Sequence, residues 1–572
     1  MRIKPSEEIE LARHNLAHFR QSVIRPSFVI VMTEVTSRNE MVYVIGSGPA
    51  GVAVAYALLK QGAEVTMLDA GLTLEQERSR LVDVLSHSTP DEWSQTSLST
   101  LKGSLAGDGR VMPRKLSYGS DFPYRDVEGG MSVIQSGVDV VSSSARGGLS
   151  NVWGGAVLPY RAEDIIDWPL SVDDLAPHYR AAFELMPLAA HRDDLEQEFP
   201  LYAPHCASIR PSTQAKALMY DLDASREMLS KEGIRYGHAR LAVQVEAIRD
   251  QGGCVYCAMC LYGCPRKLIY NSAQSIDMLQ ARQGFYYRTD VVVDRIVEEE
   301  AEVQLFCRHS SSQLQFSLRG ERVYLAAGVL GTAKIILSSA AAYGRRLTVR
   351  GSQYFLLPLL RLKQTMGVAR ESLHTLAQIF LEMSACIPGG HPAHLQIYTY
   401  NDFYRCALEK RFGALVRIAG RRLSDSILGR LMVVQGYLHS KDSSAISVRL
   451  EGRAVGDELV LEAIINPQAK THVRGISRKL FKCSKYLHTI PLLPLLQIGK
   501  PGEGSHVGGT FPMRHTPSEL ETDIFGRLTG MRKIHIVDAS VFPSIPSTTI
   551  TLSVMANAHR IGSLYERKPK AA

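Results

Sequence analysis

Three stretches of this 572-residue chain carry residue types at spacings that do chemistry. In Gly46-Ser47-Gly48-Pro49-Ala50-Gly51 the glycines follow the pattern G-x-G-x-x-G. Gly46 permits a tight turn, Gly48 lets the backbone approach a pyrophosphate, and Gly51 lets a helix pack closely on a strand. Asp69, at the end of the next apolar run, is placed to accept from a ribose hydroxyl. This pattern binds a dinucleotide without choosing between a flavin and a nicotinamide. In the second stretch Cys254, Cys257, Cys260 and Cys264 are spaced C-x2-C-x2-C-x3-C and followed by Pro265, the iron–sulfur run of bacterial ferredoxins. Ferredoxins of that kind send the fourth Cys to a second cluster, and here there is one quartet. A [4Fe–4S] cluster, reduced thiols, a disulfide pair and a zinc knot all remain open. The third stretch, Gly504-Ser505-His506-Val507-Gly508-Gly509, sets a single His among glycines.

The elements that must position these residues are readable around them. Val42-Tyr43-Val44-Ile45 reads as a buried parallel strand, Val52 to Lys60 as a helix that Gly62 ends, and Glu64 to Leu68 as the next strand. Ser142 to Gly155 brackets small polar residues and Trp153 between Gly pairs, a backbone suited to lying against a flat ligand. Ser171, followed by Asp173 and Asp174, reads as a helix N-cap. Short strands alternate over 285–325, and Arg322 to Leu325 runs into Ala326-Ala327-Gly328, again strand, small-residue turn and helix. His394–Tyr400, Val433–His439, Ala445–Leu450 and Glu458–Ile465 read as an antiparallel sheet. His394, Tyr398 and His439 fall on these runs, where a structural role is the plainer reading of each. Near the end, Ile534 to Pro543 reads as strand then turn, and Ser547 to Arg560 as a helix entered through a Ser/Thr cap, whose N-terminus favours negative charge on a bound ring.

Composition is that of a globular protein of two or more lobes: 45% hydrophobic, 21% charged, 45 Gly. A net charge of +8 is small for this length and does not point to nucleic acid. No apolar run is long enough to span a bilayer, and Ser27 to Met32 is too short for a signal-peptide core, so a cytoplasmic protein is expected. Pro5 to Val23 reads as a charged helix. Leu408–Met432 carries Lys410, Arg411, Arg417, Arg421, Arg422 and Arg430 against Glu409 and Asp425. A solvated basic face is the plainer reading, and a helix meeting an anionic partner or the membrane periphery is the sharper one.

The chain resembles the glucose–methanol–choline (GMC) oxidoreductases in four blocks: the fingerprint with Asp69-Ala70-Gly71, the Gly147–Gly155 segment, the Ala326-Ala327-Gly328 turn, and the C-terminal His506 and Asp538–Pro543 blocks. They run in the family's order over nearly the whole chain, with residues 1–40 outside them. The resemblance implies a mixed α/β fold with a Rossmann-like FAD-binding domain and a substrate lobe on a mostly antiparallel sheet. The expected division is an extension over 1–40, FAD-binding parts over 41–165, 235–345 and 500–572, a lid segment over 166–234 and the substrate lobe over 346–499.

It also implies which residues hold FAD. These are Gly46, Gly48, Pro49, Ala50, Gly51, Asp69 and Ala70 from the fingerprint, and Gly148, Ser150, Asn151, Trp153 and Gly154 from the Gly-rich segment. Ala327 and Gly328 follow from the middle of the chain, and Asp538, Ala539, Thr549 and Ile550 from its end. No His lies near Ser150–Trp153, where some members attach the flavin, so non-covalent FAD is expected. His506 matches the family's active-site His, which takes a hydroxyl proton as hydride passes to flavin N5; His is the side chain whose pKa suits that task. Thr549 stands where the family carries a second His or Asn, and is expected to bond a substrate oxygen rather than act as a base. The implied activity is oxidation of an alcohol or sugar. Were the Cys quartet to hold a cluster, electrons would leave singly to a quinone or protein rather than to oxygen. The alternatives are a flavin/iron–sulfur electron-transfer protein without its own alcohol substrate, and a non-redox lyase on the same scaffold.

Overall fold

In the computed structural model, residues 35–37, 40–103, 110–247, 252–386, 388–406, 426–453 and 456–567 are described. Val42–Ile45, buried at all four positions, is the middle strand of a five-stranded sheet. Across it the order is Ile534–Ile536, Arg322–Leu325, Val42–Ile45, Val65–Leu68 and Phe285–Arg288, every pair parallel. A parallel sheet needs cover on both faces, which explains runs with no polar alternation. Pro49 starts the helix Pro49–Lys60, a position where its missing N–H is no loss, and Ala50 to Leu58 are all buried. This helix packs on Thr551–Ser563 so closely that a Cβ added to Gly562 would lie 2.9 Å from the Ala57 Cβ and the Val54 carbonyl oxygen.

A second sheet is antiparallel. Its order is Thr489–Pro491, Tyr354–Arg361, Leu431–Tyr437, Ala393–Tyr398, Ile379–Met383 and Ile234–His238, all antiparallel. One face packs Leu395, Ile397 and Val434 into an apolar cluster with the helix Ala469–Lys482. The other face is polar: His394, Gln396 and Tyr398 alternate with those apolar residues, opposite Tyr437, Gln435 and Val433 of the neighbouring strand. Ala445–Arg453 and Gly456–Ile464 leave this sheet for another one with Leu347–Gly351, Val507–Gly508 and Ser132–Ser136.

Several elements differ from the expectations. Val35–Ser37, inside the 1–40 extension, pairs in parallel with Gln315–Gly320 at the edge of a four-stranded sheet. The last helix begins at Thr551 with Ile550 as N-cap and no side-chain cap bond. The expected Ser/Thr cap is absent because Thr549 Oγ1 accepts instead from the Leu158 N–H at 2.9 Å, while the Ser547 and Thr548 hydroxyls are buried without a partner among the described residues. Ser171 does cap its helix, accepting from the Asp174 N–H at 3.2 Å. The Pro5–Val23 helix and most of the basic 408–432 stretch lie outside the described residues; Leu431 and Met432 belong to a strand, and Arg430 donates to the Leu362 carbonyl. Among the described residues no helix is long and apolar enough to cross a membrane.

The buried histidines predict a protein that loses stability in acid. Burial pushes His374 down to about 3, and His439 and His535 to about 4. Their folded-state pKa values lie below the unfolded value of about 6.5, so the unfolded chain takes the protons first. The stability is full above that pH and is lost as pH falls from about 6.5 toward 4, by about 4 kcal/mol per pH unit for three such groups at most. Urea midpoints measured at successive pH steps below neutrality should fall steeply; a flat profile would mean that these rings are protonated in the folded state.

Candidate active site

One long cavity of about 530 Å³ runs from the fingerprint turn to the polar face of the antiparallel sheet. Gly46, Ser47, Gly48, Pro49 and Ala50 wall one end, with Asp69 and Ala70 beside them. The three fingerprint glycines serve different ends. Gly46 has φ of +97°, and a Cβ there would sit 2.4 Å from the Ala326 carbonyl oxygen; a Cβ on Gly51 would be 2.0 Å from the Gly46 oxygen. Both are packing requirements of strand, turn and helix. Gly48 has ordinary extended backbone, and a Cβ there would meet nothing within 4 Å. Its space opens into the cleft, over the N-terminus of Pro49–Lys60, which has no side-chain cap and so is free to face an anion. Gly328, with φ of +74°, likewise opens onto free space at the start of the helix Gly328–Ser339.

Asp69 is buried and accepts from the Ser47 hydroxyl and from the Tyr287 hydroxyl at 2.8 Å. Burial raises its pKa to about 6 against the pull of those hydroxyls. Of the remaining expected cofactor residues, Gly148, Ser150, Trp153, Gly154, Ala327, Gly328, Asp538, Ala539, Thr549 and Ile550 line the cleft. Asp538 also ties its surroundings together, accepting from the Thr332 hydroxyl at 2.6 Å and the Ser540 N–H at 2.9 Å. Gly51 and Asn151 are not on the cleft wall: the Asn151 amide donates to the Arg146 and Gly148 carbonyls at 3.0 and 2.7 Å, shaping the loop from behind.

His506 lines the same cleft, beside the polar face of the antiparallel sheet. The next residues, Val507–Gly508, pair with Arg350 and Gly351, and its carbonyl accepts from the Ser352 N–H at 3.0 Å. Ser505 before it has φ of +59°, an uncommon conformation for a non-glycine residue. The ring stacks on Tyr437 at 4.6 Å, and its Nδ1 is buried without a hydrogen-bond partner among the described residues. Burial, and then the neighbouring His394, hold its pKa at about 4, so the ring is neutral and able to accept a proton throughout the physiological range. Thr549 is turned with its oxygen on the Leu158 N–H, which leaves the hydroxyl hydrogen for another acceptor.

Facing His506 is a box of side chains that neighbouring strands assemble. The Tyr398 hydroxyl donates to Gln396 Oε1 at 3.2 Å, and Gln435 Nε2 donates to the Tyr404 hydroxyl at 2.6 Å. Burial raises the pKa values of Tyr398 and Tyr437, keeping both as phenols. Behind the box His394 Nδ1 meets Glu382 Oε1 at 2.5 Å, both residues buried, a supporting pair rather than part of the wall. His439 accepts from the Lys441 N–H at 3.1 Å and stacks on His391, a structural role. Lys115 lies beside the box; burial pushes its pKa down to about 8. Gln396, Gln435, Tyr437 and Lys115 escaped sequence reasoning, although polar residues alternating along an otherwise apolar strand were the available signal for the first three.

Of the four readings open for the cysteine stretch, the cluster finds no support: among the described residues no group of three or more His, Cys, Asp or Glu, Cys254, Cys257, Cys260 and Cys264 included, is arranged to hold a metal ion. All four are free thiols. The loop turns through left-handed residues at Tyr256 and Ala258, and Cys257 and Cys260 pack against the apolar cluster around Met259, Leu261 and Tyr262. Burial, then Cys260, pushes the Cys257 and Cys264 thiols up to about 12.

Residues 499–558 match a family model described as GMC oxidoreductase. No curated protein matches the chain. Among solved structures, pyridoxine 4-oxidase from Mesorbium loti superimposes with a TM-score of 0.58 at 14% identity, covering 93% of this chain and all of that one. A formate oxidase of Aspergillus oryzae RIB40, in a variant made to study FAD modification, gives 0.57 at 13% identity over 92% of this chain and 98% of its own. A further formate oxidase structure gives 0.56 at 12% identity with the same coverage. At such identities the likeness is one of fold.

Proposed function

We propose that this chain is a GMC oxidoreductase, a reading supported by the match of its C-terminal segment and by its fold, that it binds FAD non-covalently in the long cleft and that it oxidises a CH–OH group of a small alcohol or sugar. The observation that carries the reading is His506: a half-buried neutral imidazole whose buried Nδ1 has no partner among the described residues, held by backbone pairing and by stacking on Tyr437, on the wall of a cleft whose far end is the fingerprint turn. The residues present fit the cofactor, since Gly48 and Gly328 leave open the space a Cβ would fill and a helix N-terminus faces it.

When bound, the flavin supplies the acceptor for the hydride that leaves the carbon. His506 takes the hydroxyl proton, without which an alcohol is a poor hydride donor. Thr549 turns its free hydroxyl hydrogen toward the substrate oxygen, and the Tyr437 ring fixes the imidazole plane. The box of Gln396, Tyr398 and Gln435 orients the rest of the substrate. The expectation of a one-electron acceptor was conditional on a cysteine-bound cluster, and with no support for that site oxygen serves the reading as well as a quinone or protein does.

The purified protein should be yellow, and acid or heat should release FAD into the supernatant, because no His is available for attachment near Ser150–Trp153. Flavin left in the precipitate would contradict the non-covalent reading. Reduction of that flavin by an alcohol in the absence of oxygen tests the reaction itself.

A further inference from the structure

The cations on the cleft wall are not alike. Arg110 pairs with Asp139 at 2.5 Å, Arg114 with the same carboxylate at 3.3 Å, and Arg308 with Asp294 at 3.1 Å. Lys115 has no carboxylate within 4.0 Å among the described residues; its one hydrogen bond is a long one, 3.5 Å, to the Trp153 carbonyl. Lys334 also lacks a carboxylate there, but it lies on the helix Gly328–Ser339, in the dinucleotide half. Lys115 lies instead beside the Trp153–Gly154 backbone, where the Tyr398 hydroxyl of the antiparallel sheet also reaches. A Cβ built on Gly154 would stand 3.5 Å from the Tyr398 hydroxyl and 3.8 Å from Lys115 Nζ, so the phenol and the ammonium converge over one bare stretch of backbone.

An ammonium carries three donors, and a half-buried one with a single weak bond gains from a ligand that completes it. A carboxylate is the complement that fits best, since it takes a charge-assisted bond from Lys115 and a second from a neighbouring donor. The amides of Gln396 and Gln435 on the same wall are neutral and leave the charge uncompensated.

We propose that the substrate is an alcohol bearing a carboxylate, a hydroxy acid or sugar acid, and that Lys115 binds that carboxylate while the hydroxyl faces His506. This rests on the reading of the cleft as an alcohol-oxidising flavin site. Lys115 is then a specificity-determining residue for that site.

The test uses the flavin-loaded enzyme and matched probes in which a CH2OH group replaces the carboxylate: lactate against propylene glycol, and mandelate against styrene glycol, with lactamide and mandelamide as neutral planar controls. Binding is read from the perturbation of the flavin absorbance under anaerobic conditions and by calorimetry. In the wild type each acid should bind more tightly than its diol, and Lys115→Met should erase that preference, a loss on the order of 10²-fold in affinity for the acid. Lys115→Arg, which keeps the charge, should recover part of it. Equal binding of acid and diol by the wild type, or an acid preference that survives in Lys115→Met, would overturn the proposal while leaving the flavin reading intact. So would a Lys115→Met protein that loses flavin while the acid preference persists in its loaded fraction, because Lys115 would then serve the cofactor. A wild-type preparation that holds no flavin would overturn both.

Discussion

Replacing His506 with alanine should slow reduction of the bound flavin by substrate on the order of 10²–10⁴-fold, the usual worth of a positioned proton acceptor. The flavin content should not change. The His506 ring makes no hydrogen bond to the protein among the described residues, so its removal leaves no partner stranded, and the backbone stays fixed by the pairing of Val507–Gly508 with Arg350 and Gly351. The loss of stacking on Tyr437 leaves a gap beside a phenol whose own bond, to Gln435, is long at 3.5 Å. The variant should therefore fold and load while failing at the chemical step. Rapid-mixing traces of flavin bleaching measure this directly. A variant that bleaches at the wild-type rate would make His506 a structural residue and move the base elsewhere.

Gly48→Val should abolish flavin binding and leave the fold standing. A side chain at Gly48 meets no protein atom within 4 Å, and its backbone is of the extended kind that valine adopts readily. What the branched side chain takes is the space in which a pyrophosphate would lie against the helix N-terminus. Gly51→Val makes the contrast. There the new Cβ falls 2.0 Å from the Gly46 oxygen, so strand and helix must separate. The first variant should give a colourless protein with a wild-type circular dichroism spectrum, and the second an insoluble or unfolded one. A yellow Gly48→Val protein would place the dinucleotide somewhere other than this turn.

Local chemistry explains how much of this was readable in advance. The fingerprint turn, the strand Val42–Ile45 and the helix Pro49–Lys60 are written within twenty residues, where buried runs, Pro at the first helical position and Gly at forced contacts speak for themselves. His506 stood out because glycines surround it. The substrate wall was harder, because Gln396 meets Gln435 only through a strand pairing that spans the intervening chain. Lys115 lies in a stretch with no periodicity at all, and its value comes from what is absent around it. The cysteine spacing left its readings open for the same reason: spacing fixes sequence separation, while the left-handed turns at Tyr256 and Ala258 and the packing of Cys257 and Cys260 against the apolar cluster decide where the sulfurs go.

The central claim is that an alcohol gives up its hydride at this cleft. It is tested most directly by mixing the yellow protein, free of oxygen, with a panel of alcohols, sugars and hydroxy acids while following the flavin absorbance. The account predicts that at least one of them bleaches the flavin fully, and that His506→Ala slows that bleaching. Flavin that stays oxidised with every alcohol, and bleaches only on addition of a reduced protein or not at all while a substrate is turned over, would contradict it.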